Sequence, residues 1–206
     1  MTADSLIAAD VIPPVILIMP DGKNSYWVDS DPRTGFGAVE TALVQDLIPY
    51  IDRTYRTIPL RRARMIGGLS MGGYGAVHLA MKHPDLFGAA ASMSGALSRT
   101  PPERSESLAP VFGDPIDVAR WQAENPFTWI DSLKASELRL PMYVTVGDDD
   151  SSRLLEGGVD FYAALRDAEL PAELRVTDGP HSWEVWDRAL RETLIFFSNV
   201  FRARYR

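Results

Sequence analysis

Residues 65–75 read MIGGLSMGGYG, with glycines at 67, 68, 72, 73 and 75 around a single serine, Ser70. Glycine gives up the most backbone freedom on folding, so a cluster of this kind is costly unless close backbone approach requires it. The stretch before it, ARMIG, is strand-like, and the stretch after it, GYGAVHLAMKH, is helical up to Pro84. A strand that turns sharply into a helix on Gly68-Leu69-Ser70-Met71-Gly72 leaves no room for side chains at the crossing and holds the serine up as a nucleophile. The alternative is a flexible Gly-rich connection.

The rest of the chain alternates in the same way. PVILIMP (14–20) is a short continuous apolar run ending in the turn PDGKN, which predicts a buried parallel strand. Val39, Leu43, Leu47, Ile51 and Tyr55 recur four apart and mark a helical face, with Pro49 predicted to kink or split that helix. LFGAAASMSG (86–95), LPMYVTVG (140–147) and AELRVTDG (172–179) read as further strands. FYAALRDAEL (161–170) and WEVWDRALRETLIFFSNVFRARY (183–205) read as helices. Five strands alternating with helices predict one α/β domain over residues 1–206, its mostly parallel sheet covered on both faces. Residues 98–136, rich in Pro, Ser and charge, read as an irregular excursion over the edge where the strands end, not as a linker.

Composition removes several classes of function. A net charge of -7 argues against a nucleic-acid partner, and the one basic run, Arg61, Arg62 and Arg64, reads as a solvated turn before a strand. With no cysteine there is no disulfide, thiolate chemistry or cysteine-based zinc site. The opening MTADSLIAAD lacks the basic and apolar regions of a signal peptide. VIPPVILIMP is too short and Pro-broken for a span of roughly 20 residues. The expectation is a cytoplasmic protein with no membrane partner.

A serine hydroxyl needs a base to take its proton. His78 and His83 follow Ser70 on the same predicted helix, about 12 and 20 Å along it at 1.5 Å per residue, and cannot reach back. They read as surface or helix-end histidines. His181, in DGPHSWEVW, lies just past the last strand, on the edge where Ser70 lies, with Trp183 and Trp186 as apolar walls. It is the candidate base. An orienting carboxylate comes from VTVGDDD, whose Asp148, Asp149 and Asp150 end the preceding strand at that edge. The residue types leave the three acids open. A metal site on that triplet has no supporting histidine or carboxylate pattern, so no metal is expected.

Taken together, MPDGKNSYWVDS, DLIPYIDRTYRT, IGGLSMGGYGAVHLAMKHPDLF, ASMSG, VGDDD and GPHSWEVW resemble the esterase D and feruloyl-esterase family of α/β-hydrolases, which also contains bacterial mycolyltransferases. The matching pieces run in order along almost the whole chain. The resemblance implies serine-esterase chemistry on ester or thioester bonds without a cofactor. Its Gly-x-x-Asp spacing from Gly147 selects Asp150 as the acid, with Asp148 as the fallback.

The resemblance also implies an oxyanion hole, with the Met71 N–H as one donor. Family members usually carry early strands and a loop, often His-Gly, that supplies the other. This chain begins at what resembles the helix after that loop, as an N-terminally abbreviated α/β-hydrolase. Losing one oxyanion donor costs roughly 3–4 kcal/mol of transition-state stabilisation. The Asp21-Gly22 turn, through Gly22, or a neighbouring subunit is the candidate replacement; the third alternative is a weak or inactive enzyme. A bare sheet edge invites pairing with another chain, which predicts a homo-oligomer.

The resulting reading is a carboxylesterase for small acyl or aryl esters, with Ser70, Asp150 and His181 as its triad. Leu69, Asp21, Tyr26, Trp27 and Trp183 are candidate substrate contacts, and the aromatic ones read equally well as packing. Two alternatives share these residues: acyl transfer to an alcohol, and a non-catalytic binding module that kept the serine turn.

Overall fold

In this computed structural model the described residues are 3–31, 33 and 36–203, opening on helix α1 (Ala3–Ala8). Helix α2 (Val39–Thr41) runs through a π-helical turn, Ala42–Leu47, into α3 (Ile48–Thr54). The expected break at Pro49 therefore takes the form of a widened turn. Ile48 N–H bonds to the Leu43 carbonyl, five residues back, just ahead of a proline that cannot donate and would crowd the Gln45 carbonyl in α geometry.

Strands β1 (Met65–Leu69), β2 (Ala89–Met93), β3 (Met142–Gly147) and β4 (Ala172–Thr177) form one parallel sheet in the order β1-β2-β3-β4. Met65 is level with Ala89, Ala90 with Met142, and Met142 with Ala172. Each parallel return needs a crossover. Helix α4 (Met71–Lys82) joins β1 to β2. Three short helices, α5 (Ala109–Phe112), α6 (Val118–Ala123) and α7 (Ile130–Ala135), lie between β2 and β3. Helix α8 (Ser152–Asp167) joins β3 to β4.

Right-handed crossovers that all step the same way put their helices on one face of the sheet. Tyr74 and Val77 of α4, Phe112, Trp121 and Leu133 of the β2–β3 segment, and Phe161 and Leu165 of α8 accordingly share one buried cluster with Val144 of β3. The 98–136 segment is thus less irregular than its Pro and Ser content suggests, and it contributes to this core. Helix α9 (Trp183–Ala203) covers the opposite face, where Phe196 stacks on Tyr143 with ring centroids 5.3 Å apart. The expected end of this helix, Arg204 and Tyr205, lies outside the described residues.

The first expected strand does not form. Residues 14–20 take no part in the sheet, and Val15, Ile16, Leu17, Ile18 and Met19 are exposed, Met19 to 88%. Pro13, Pro14 and Pro20 remove three donors, and no strand among the described residues pairs with the run. Its two ends are held. Ile12 packs with Leu6 and Leu194, and Gly22 lies beneath the Trp27 ring.

Two smaller expectations also change. His78 is fully buried, not superficial, because α4 is enclosed on nearly every side from Gly73 to Met81. The Arg61–Arg64 run is not simply solvated. Arg61 donates to the Pro84 and Arg139 carbonyls, and Arg64 to the Leu86 carbonyl and Asp52. Among the described residues no helix is long and apolar enough to cross a membrane.

Candidate active site

Ser70 sits between β1 and α4 with φ 53° and ψ -119°, a backbone region that non-glycine residues rarely occupy. Neighbouring backbone over-determines it. Its N–H donates to the Met93 carbonyl at 2.8 Å, and its own carbonyl accepts from Gly73, Tyr74 and Ala96. A Cβ on Gly68 would lie 2.2 Å from the Gly72 carbonyl oxygen, so strand and helix cross where a side chain cannot fit. The glycine cluster is therefore a close-approach device, not a flexible connection.

The loop after β3 carries the acid. Gly147 and Gly179, one at the end of β3 and one beyond β4, touch so closely that a Cβ on Gly147 would lie 1.9 Å from the Gly179 carbonyl oxygen. This contact brings the Asp150 loop against the His181 loop. The Asp150 side chain is shielded from solvent. Its Oδ1 accepts from the Ser151 N–H at 2.8 Å, and its Oδ2 lies 2.9 Å from His181 Nδ1. His181 Nε2 lies 3.0 Å from Ser70 Oγ.

A carboxylate only accepts, so Nδ1 is the donor to Asp150. In the neutral imidazole Nε2 then carries the lone pair and accepts from the Ser70 hydroxyl. Serine, histidine and aspartate thus form one hydrogen-bonded series along which a proton can move from Ser70 to His181. Asp148 points elsewhere: its Oδ1 accepts from the Gly179 N–H at 3.0 Å and pins the histidine loop from outside.

The remaining candidates divide. Met71 is the first residue of α4, where helix N–H groups lack intrahelical partners. Leu69 packs with Met93, Val185, Trp186 and Ala189. Asp21 turns back to accept from the Lys23 N–H at 2.8 Å. Trp27 is wedged between Gly22 and Gly75, where an added Cβ would lie 2.6 and 2.1 Å from its ring. Tyr26 packs edge-on to Tyr74 and shares a hydrogen bond with Ser107 at 3.3 Å. Both therefore pack against α4. Trp183 is 74% exposed and meets Trp186 edge-on at 5.3 Å. Trp186 in turn stands at 90° to the His181 ring, with centroids 4.6 Å apart.

A second polar cluster lies on α4, and nothing in the sequence spacing announced it. Glu40 accepts from Lys82 Nζ at 2.8 Å and from His83 at 2.7 Å, and lies 3.2 Å from His78 Nε2. Burial alone would raise its carboxyl, but hydrogen bonds from His78, His83 and Lys82 outweigh burial and hold it far below the usual carboxylate range. Glu124 completes the cluster through its own bond to Lys82 and through its carbonyl, which accepts from Tyr74. Glu40, His78 and Glu124 bring three ligand-type atoms within 4.8 Å, as do the exposed Asp148, Asp149 and Asp178. In the first group the Lys82 ammonium already bridges the two carboxylates.

A family model described as "Putative esterase" matches residues 1–197. An esterase of Mycobacterium tuberculosis is 30% identical over 194 residues, covering 82% of this chain and 42% of that protein. An acetyl esterase of Caldicellulosiruptor saccharolyticus is 25% identical over 199 residues, covering 90% and 73%. A solved structure described as a ferulic acid esterase superposes with a TM-score of 0.80 at 31% identity, covering 96% of this chain and 75% of that one. The chain therefore spans less than half the length of its Mycobacterium relative.

Proposed function

The chain belongs to this esterase family, and from that premise we propose that it is a serine carboxylesterase acting on small acyl or aryl esters. Its fold is that of the α/β-hydrolases, with Ser70 on the strand-to-helix turn. Relatives and structural neighbours are esterases and serine hydrolases.

One observation carries the proposal: a continuous hydrogen-bonded series from the Ser70 hydroxyl through His181 to the shielded Asp150 carboxylate. Ser70 Oγ attacks the ester carbonyl carbon as its proton passes to His181 Nε2. Asp150 stabilises the imidazolium that results. The developing oxyanion faces the Met71 N–H at the start of α4, where the helix dipole favours negative charge. Collapse expels the alcohol, which takes the proton from His181, and leaves an acyl group on Ser70. Water then gives a proton to His181 and attacks the acyl carbon; collapse releases the acid as His181 returns that proton to the departing Ser70 Oγ. No cofactor enters these steps. The partly exposed His181 ring supports access for a small ester.

The test is hydrolysis of p-nitrophenyl acetate by the purified chain, with Ser70→Ala alongside. Turnover in the parent that falls by roughly 10⁴-fold or more in the variant is the expected result. Turnover unchanged in Ser70→Ala, or none in the parent, would overturn the assignment.

A further inference from the structure

We infer that Trp186 is the residue that holds the His181 imidazole in its working orientation. The inference rests on the esterase reading of Ser70, His181 and Asp150. It concerns a side chain that would touch neither substrate nor the reacting atoms, so its role is positioning.

His181 stands on a loop, ahead of α9, and its side chain is one-third exposed. The torsion that turns an imidazole about its Cβ–Cγ bond is broad. Two hydrogen bonds hold the ring, one from Nδ1 to Asp150 and one from Ser70 to Nε2. The second must break in each reaction cycle, when Ser70 loses its proton. At that stage Asp150 alone would leave the ring free to hinge about a single contact.

Trp186 supplies the missing restraint. It lies one helical turn beyond Trp183 on α9, and its N–H bonds back to the Ser182 carbonyl at 3.1 Å. Its side chain is buried with Met93, Val185 and Ala189, and Leu69 packs on the same group. The indole is thus braced against residues adjoining the Ser70 turn, and it meets the imidazole at right angles with centroids 4.6 Å apart.

Trp186 is only 8% exposed, and its Nε1–H has no hydrogen-bond partner among the described residues. Buried indoles usually find one. A phenylalanine or leucine would fill the space without stranding a donor. What distinguishes the indole here is its broad ring against His181.

The experiment compares the full chain with Trp186→Leu, Trp186→Met and Trp186→Phe, with Ser70→Ala as the blank. Readouts are kcat, KM, the pH profile of kcat/KM for p-nitrophenyl acetate, and the melting temperature. Leu or Met variants that melt with the parent should lose kcat by about tenfold or more, keep KM within twofold, and shift the acid limb of the profile. Trp186→Phe, which keeps a smaller ring, should fall between them and the parent.

A kcat within twofold of the parent in a folded Leu or Met variant overturns the inference. So does a loss confined to KM with an unmoved pH profile, which would make Trp186 a pocket wall. Should neither of those variants fold, the Phe variant decides: a kcat below the parent with KM kept supports positioning, and a parental kcat refutes it. A parent with no Ser70-dependent turnover instead refutes the esterase reading itself.

Discussion

Asp150 Oδ2 and His181 Nδ1 meet at 2.9 Å, while Asp148, two residues earlier, spends its carboxylate on the Gly179 N–H. Two of the three adjacent acids thus have different tasks. The contact between Gly147 and Gly179 sets which of them can face the imidazole.

Asp150→Asn should therefore lower kcat for p-nitrophenyl acetate by about 10⁴-fold, the scale seen when an amide stabilises the wrong histidine tautomer. Asp148→Asn should change it by less than about tenfold, because an amide oxygen can still accept from Gly179. Steady-state kinetics on the two variants checks this. Equal small effects would remove Asp150 from the orienting role.

Glu40 ties the start of the α2–α3 helix to the end of α4 through Lys82 and His83. Breaking one partner of a buried ion pair costs about 3 kcal/mol or more. For a chain of this size that lowers the melting temperature of Glu40→Gln by roughly 10 °C. The sign with pH follows from the direction of the shift. A carboxyl held below its usual value near 4.5 stabilises the fold fully above that value, and the contribution fades as pH falls toward its folded pKa. The stability gap between parent and Glu40→Gln should therefore shrink below about pH 4.5. Urea unfolding at pH 7 and pH 3.5 measures it, and a gap that widens in acid contradicts this account.

The exposed run Val15–Met19 carries no charge and pairs with no strand among the described residues. Contiguous apolar surface of this kind marks an association site. The expected homo-oligomer should form through it. Static light scattering should give the parent a mass above 22.8 kDa, and Leu17→Lys a mass closer to the monomer. A parent that stays monomeric across concentrations, or a variant that associates equally, removes the run from any interface.

Much of the fold was legible because its determinants are local. Strands β1 to β3 are short apolar runs bounded by turn residues, β4 alternates apolar and polar residues, and α4, α8 and α9 follow with little ambiguity in type. The run 14–20 has the same composition as a buried strand, yet it stays outside the sheet. An apolar run states that it can pair; it does not state that a neighbour lies within reach. His78 shows the converse. A histidine in the middle of a helix gives no sign of burial until Glu40 and Glu124, distant in the chain, close over it.

From the amino-acid order alone came the serine turn, the histidine loop and the acidic strand end, since glycine spacing and apolar periodicity act within a few residues. The family resemblance selected Asp150, and the folded chain places it against His181. What Trp27 and Trp186 press against, and where Glu40 finds its cations, were decided only in the folded chain. Those outcomes depend on distances between residues far apart in the chain, 43 positions between Glu40 and His83 and 31 between Asp150 and His181. Only the packed sheet and its helices set such distances.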